Sequence, residues 1–221
     1  LILLGIPYDS ERGLRMAKQV MAIIHAESRR ASRELAYERG VFPNFQKSVH
    51  AKTGKPLRNA TLTTIAPTGT LALIAGCSSG IEPIYGISTD RLAMEKIRLA
   101  GPHPLFIRAL RSAGFTKKKD LLDLSSRGSI QGETRIPRVI RSLFPTAHDI
   151  SPEYHIRMQA AFQAETENGV SKTVNFPKSA DVNAIRKAFF LAHREGCKGV
   201  TVFRSGAREG QVIKCLDTLY C

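Results

Sequence analysis

The alternation of apolar and polar positions divides the chain into helices, a few short strands and several long loops. From Asp9 to Arg39, residues Leu14, Ala17, Met21, Ile24, Ser28, Ala31 and Leu35 recur at spacings of three and four, which predicts one long helix with a single inward stripe. Asp9 or Ser10 can cap it and Gly40 can end it. Val41 to Arg58, with Pro43, Gly54 and Pro56, reads as loop. The Thr- and Ile-rich run Ala60 to Ile65 predicts a strand, Thr70 to Ala75 a short helix or turn, and Cys77 to Gly86 another loop. Shorter helices are expected over Pro104 to Gly114, Lys117 to Leu124 and Pro137 to Leu143.

The C-terminal third is more strongly signalled. Ser151 to Asn168 predicts a helix: Ser151 can cap, Pro152 suits the first helical position, and Glu153 complements the dipole. "SKTVNF" reads as a buried strand. Ser179 to Glu195 reads as a capped helix with Val182, Ile185, Phe189 and Ala192 inward, closed by Gly196, and "GVTVF" is the next strand. Strand, helix and strand with short links form a βαβ unit. Ser171–Phe176 and Gly199–Arg204 are therefore expected to lie parallel across a right-handed crossover. The class is α/β, and the scarcity of early strands points to part of a barrel or sheet.

The stretch Thr63 to Pro83, "TTIAPTGTLALIAGCSSGIEP", carries the candidate chemistry. A strand that runs through Pro67-Thr68-Gly69-Thr70 into a helix start presents free backbone N–H groups. Those groups and the helix dipole favour an anion. Gly69 allows close backbone approach, and Thr68 and Thr70 add hydroxyl donors. By spacing alone a plain Pro-Thr-Gly turn explains the same residues, and no Walker-type G-x-x-x-x-G-K occurs. Glu82 can either tie down loop N–H groups or line the pocket.

With 221 residues, 43% of them hydrophobic, the chain can bury a real core. No apolar run approaches the roughly 18 residues of a membrane span, and the opening "LILLGIPYDS" lacks the basic leader and cleavage site of a signal peptide. It also lacks an initiator Met, so the chain begins as if cut from something longer. The formal net charge of +14 draws anions and polyanions. The basic residues are scattered, which fits a solvated surface plus an anion pocket better than a nucleic-acid module. The four cysteines form no C-x-x-C pair and suit a reducing cytoplasm, with Cys77 and Cys197 expected as small buried hydrophobes. His155 and His193, on helices, are expected in packing or at the surface. Met158 and Gln159 are expected in core packing.

Several blocks in order carry a resemblance. "RNATLTTIAPTGTLALIAGCSSGIEPIY", "ASRELAYERGVFPNF", "GSIQG", "LFPTAHDISPEYHIRMQAAFQAETENGVSKTVNFP" and "AFFLAHREGCKGVTVFRSGAREGQV" resemble adenosylcobalamin-dependent (class II) ribonucleotide reductases. The resemblance runs from about Leu4 to Val212 and is weakest from Gly86 to Leu124. It implies that residues 1–212 are the C-terminal part of a ten-stranded α/β catalytic barrel and 213–221 a C-terminal tail. It implies that Ala66, Pro67, Thr68, Gly69 and Thr70 hold the substrate phosphates. It further implies adenosylcobalamin as cofactor and radical reduction of ribonucleotides to 2′-deoxyribonucleotides by a cysteine thiyl. The strand Thr201-Val202-Phe203-Arg204 lacks the tyrosine pair that relays the radical in iron-dependent class I enzymes, which favours the cobalamin route.

The family's radical-cysteine motif, close to N-x-C-x-E, is absent, so no catalytic residue is assigned within this segment. The resemblance places that cysteine upstream, on an N-terminal half in the same or a separate chain. Family members often end in a cysteine pair that accepts electrons from a thioredoxin-type reductant. Cys215 and Cys221 can be that shuttle, or two incidental thiols, since their spacing is wider than C-x-x-C. The exposed edge of half a barrel implies self-association, a homodimer being one form. Two other readings stay open: a non-catalytic nucleotide-binding remnant or split-enzyme subunit, and a basic nucleic-acid-binding module.

Overall fold

The computed structural model describes residues 1–93, 97–207 and 213–215. Its longest element is α1 (Glu11–Arg39), whose N-cap Ser10 accepts a hydrogen bond from the Gly13 N–H. Helix α2 (Gly69–Ala75) follows an extended segment. Strands β1 (Ser88–Ala93) and β2 (Ile97–Pro102) pair antiparallel and lead into α3 (Pro104–Ser112), α4 (Lys118–Ser125) and α5 (Arg138–Leu143). Helix α6 (Pro152–Gln163), β3 (Thr173–Phe176), α7 (Val182–Arg194) and β4 (Thr201–Arg204) complete the C-terminal unit. A short β5 (Ile213–Cys215) pairs antiparallel with the outer side of β1.

The expected βαβ unit is present. Strands β3 and β4 pair in parallel, from Thr173 opposite Thr201 to Phe176 opposite Arg204, with α7 between them in sequence. Buried Ile156, Val174, Phe176, Ala188 and Ala192 form its core. Two polar side chains of α6 brace the strand starts. Gln159, wholly buried, donates to the carbonyls of Val170 and Gly199, at 3.1 and 2.7 Å. Gln163 donates to the Thr166 and Asn168 carbonyls and accepts from the Lys198 N–H. A second core, with Ile87, Phe106, Leu110, Leu124, Ile130 and Phe144, gathers the hairpin, α3, α4 and α5.

Three helical expectations change in detail. On α1 the buried residues are Gly13, Leu14, Ala17, Met21, Ser32 and Ala36, whereas Ile24 is 47% exposed and Ala31 is exposed. A stripe read at the heptad spacing drifts off the face of a straight helix over four turns, and the true face continues through polar His25, Arg29 and Ser32. On α7 the N-cap is Asp181, and Ala184, Ile185, Ala188 and Ala192 pack inward, the expected Ile185 and Ala192 among them, while Val182 and Phe189 face outward. Helix α6 stops at Gln163, and the Thr166 hydroxyl donates to the Phe162 carbonyl just beyond its end.

The strand expected over Ala60 to Ile65 reduces to one parallel bridge, Ile65 to Val170. Side chains take the ladder's place there: the Leu62 N–H donates to Glu167, and the Thr63 hydroxyl accepts from the Glu167 N–H. The β1–β2 hairpin was not expected at all. Its sequence, rich in Arg, Asp and Lys, offers no apolar alternation.

Gly13 sits where the first turn of α1 crosses the preceding chain. A Cβ at this position would stand 2.7 Å from the Tyr8 carbonyl oxygen and 2.8 Å from that of Pro7. Gly13→Ala, favourable by helix propensity alone, is therefore expected to destabilise the chain by about 1–3 kcal/mol, measurable by urea unfolding.

Candidate functional site

Ala66, Pro67 and Thr68 link the Ile65 bridge to α2, whose first two residues are Gly69 and Thr70. Thr68 is the N-cap and adopts φ 48, ψ 28, the sole non-glycine residue with positive φ among the described residues. The left-handed position thus falls on a threonine, not on Gly69, which is already helical. Such a conformation costs about 1–3 kcal/mol and persists only when the surroundings impose it. No side chain caps α2; its first internal bond is from the Ala72 N–H to the Thr68 carbonyl. The N–H groups of the first turn are left without helical partners.

The turn is backed by the loop that follows α2. The Ser79 hydroxyl donates to the Pro67 carbonyl at 2.6 Å. Gly80, at φ 54, brings its backbone so near that a Cβ would stand 3.2 Å from the Ala66 carbonyl oxygen. Cys77 is exposed in this loop, contrary to the expectation of a buried residue, because the α2 turn carries little core of its own. Cys197 is half-buried, and burial, with Glu195 nearby, pushes its thiol up to about 11.

Beneath this loop lies a group that sequence reading missed. Lys172 is 1% exposed and its ammonium spends all three protons inside the protein. It donates to Glu82 Oε2 at 2.8 Å, to His155 Nδ1 at 2.8 Å and to the Thr173 carbonyl at 3.0 Å. Glu82 Oε1 accepts from the Thr173 N–H at 2.7 Å. His155, fully buried, donates from Nε2 to the Ala147 carbonyl at 2.9 Å, which leaves the Nδ1 lone pair for the ammonium. Burial, the Lys172 charge and His148 pull the His155 pKa down to about 3, against the Ala147 hydrogen bond. Burial also lowers the Lys172 pKa, and Glu82 opposes that shift. The Tyr8 ring lies 5.8 Å from the ammonium, and its hydroxyl donates to the Ile81 carbonyl. The Glu82 carboxylate therefore ties its loop to a strand N–H and to the lysine, and accepts from no loop N–H among the described residues. It also borders a largely apolar cavity of about 340 Å³ between the N-terminal segment, α1 and the 78–84 loop. His155 is a hydrogen-bonded interior residue, and His193 is exposed.

Cys215 ends β5, opposite Thr89 of β1, inside the segment expected as a tail. Cys221 lies outside the described residues. Among the described residues no group of three or more His, Cys, Asp or Glu side chains could hold a metal ion, and no helix is long and apolar enough to cross a membrane. His155 has both ring nitrogens engaged and cannot ligate cobalt. Cobalamin carries its cobalt within its own corrin ring, and no ligand to it is assigned among the described residues.

Because His155 is neutral in the fold and titrates near 6.5 when unfolded, the unfolded state binds the extra proton between about pH 3 and 6.5. Stability is expected to rise with pH through that window and to fall on acidification, by up to about 1.4 kcal/mol per pH unit for this one proton. His155→Gln should flatten the slope by that amount in urea unfolding at pH 4.5 to 6.5 (~2 pH units).

The family model described as "Ribonucleotide reductase, barrel domain" matches residues 1–203. A relative from Mycobacterium tuberculosis (strain ATCC 25618 / H37Rv), named vitamin B12-dependent ribonucleoside-diphosphate reductase, is 45% identical over 210 residues, covering 95% of this chain and 30% of the relative. One of the same name from Thermoplasma acidophilum is 40% identical over 213 residues, covering 96% and 28%. The Actinobacillus ureae class Id ribonucleotide reductase alpha subunit superposes with a TM-score of 0.76 at 20% identity, over 94% of this chain and 37% of that one, a likeness of fold. The chain spans about 30% of the length of the curated relatives it matches. A family match over residues 1–203, the parallel βαβ unit and the turn before α2 lead to one conclusion: the chain belongs to the ribonucleotide reductase barrel-domain family.

Proposed function

We propose that this chain is the C-terminal part of the catalytic barrel of an adenosylcobalamin-dependent ribonucleotide reductase and supplies its substrate phosphate-binding loop, Ala66 to Thr70. The observation that carries the reading is the strained, uncapped turn at Thr68, which leaves first-turn N–H groups of α2 open beside the hydroxyl-bearing Thr68 and Thr70. A phosphate bearing two negative charges takes up those donors and the helix dipole together. The relatives' names support a ribonucleoside diphosphate as substrate and cobalamin as cofactor.

In this reading the chain's task is binding and orientation. Adenosylcobalamin, when bound, supplies the radical that starts reduction at the ribose. The radical cysteine belongs to the N-terminal portion of the reductase, which the present residues do not provide. That portion also covers the apolar side chains standing free here, Leu71 and Ile74 on α2 and Val182 and Phe190 on α7, which are 65–79% exposed. In this reading the site of action is the cytoplasm.

Two outcomes test this. Purified chain with adenosylcobalamin, CDP and a dithiol is expected to form no deoxyribonucleotide; turnover by the chain alone would place the radical cysteine within it. In the complete reductase, Thr70→Asp sets a carboxylate where the phosphate is placed, at a helix start that otherwise favours acidic residues. The variant should fold as well as the parent yet bind CDP about tenfold or more weakly, with cytidine little affected. Equal loss for CDP and cytidine, or none, would remove the phosphate from this loop.

A further inference from the structure

The segment 168–173 grips both ends of the excursion that carries the phosphate turn. At the entry, the Asn168 N–H donates to the Thr63 carbonyl, the Ile65 N–H to Gly169, and the Ser171 N–H to Ile65, at 2.8 to 3.2 Å. At the exit, Glu82 is held by the Lys172 ammonium and the Thr173 N–H, at 2.8 and 2.7 Å. Between these anchors little else holds the chain. Ala72 is the buried residue of α2, and Leu71 and Ile74 stand in solvent. The exit anchor then reaches the turn through a short path. The Glu82 N–H donates to the Ser79 carbonyl, and the Ser79 hydroxyl donates to Pro67, with Gly80 packed on Ala66.

An apolar side chain at either position would fill the same space but would not fix the loop's height over β3. The ion pair does, because the carboxylate is bound at both oxygens and the ammonium at all three protons. A left-handed threonine without a cap needs such outside restraint to keep its shape. We propose that Lys172 and Glu82 form a positioning clasp that closes the excursion of residues 66–78 and holds the Thr68 turn in its phosphate-receiving conformation. The inference rests on the reading of that turn as the phosphate loop. Lys172 lies beneath the loop and touches no substrate, so its effect is confined to affinity for the phosphate-bearing part.

The test compares CDP with cytidine by equilibrium binding to the complete reductase. Lys172→Met is expected to weaken CDP by about tenfold or more while cytidine changes by no more than about twofold. A merely structural role would move both ligands together or neither. Removing one partner of a buried pair is strongly destabilising, so Lys172→Met can fail to fold. In that case Glu82→Gln, which keeps the acceptor for the Thr173 N–H, is read in the same way. An unchanged CDP-to-cytidine ratio in Glu82→Gln, or in folded Lys172→Met, overturns the clasp. Thr70→Asp separates the two ideas. If it lowers the ratio while the clasp variants do not, the clasp alone falls. If Thr70→Asp also leaves the ratio unchanged, the phosphate reading falls and takes the clasp with it.

Discussion

An ammonium group sealed from water must find a partner for every proton, and Lys172 finds three. That requirement draws four separate stretches of the chain to one point. Glu82 comes from the loop after α2, Thr173 from the start of β3, His155 from α6, and Ala147 from the turn before α6. Each partner is then constrained in turn. His155 must keep its proton on Nε2 and offer Nδ1, so it can take no charge of its own without opposing the lysine. Glu82 must face inward and so carries its loop down onto β3. An interior built on such a group is intolerant of partial loss, since one missing partner strands a charge.

The turn at Thr68 sits at the opposite extreme. Its helix is seven residues long and mostly exposed, and a short isolated helix has no stability to spare for a strained cap. The chain tolerates the turn because its neighbours fix both flanks. The contrast assigns different work to the two sites. The buried network carries the rigidity, and the exposed turn carries unpartnered donors that a ligand can use.

Much of this was legible in the residues, and the rest was hidden for identifiable reasons. The parallel βαβ unit followed from two short apolar strands around a capped helix, and the position of the Pro-Thr-Gly-Thr turn from a β-branched run meeting a helix start. The stripe on α1 failed beyond Met21 because a heptad spacing was laid on a straight helix, and because polar His25, Arg29 and Ser32 continue the covered face. On α7, volume misled: the large residues Val182 and Phe189 point outward, and the alanines pack. Lys172 was invisible because a lysine before a strand reads as a solvated charge. The one available hint was Glu82, an acidic residue inside an otherwise apolar turn, whose partner lies 90 positions away.

The same spacing spreads the groups that hold the turn far along the chain. The entry anchor lies in residues 63–65, the turn in 66–70, the exit anchor at 82, and the grip in 168–173. Between the exit anchor and the grip lies the hairpin with α3, α4 and α5, which packs around its own core of Ile87, Phe106, Leu110 and Phe144. That intervening unit can vary in sequence without disturbing the turn, provided it returns the chain to Ala147 and α6. Where distant groups must meet, one lost partner is felt across the whole network; where a unit closes on itself, its packing answers to its own core.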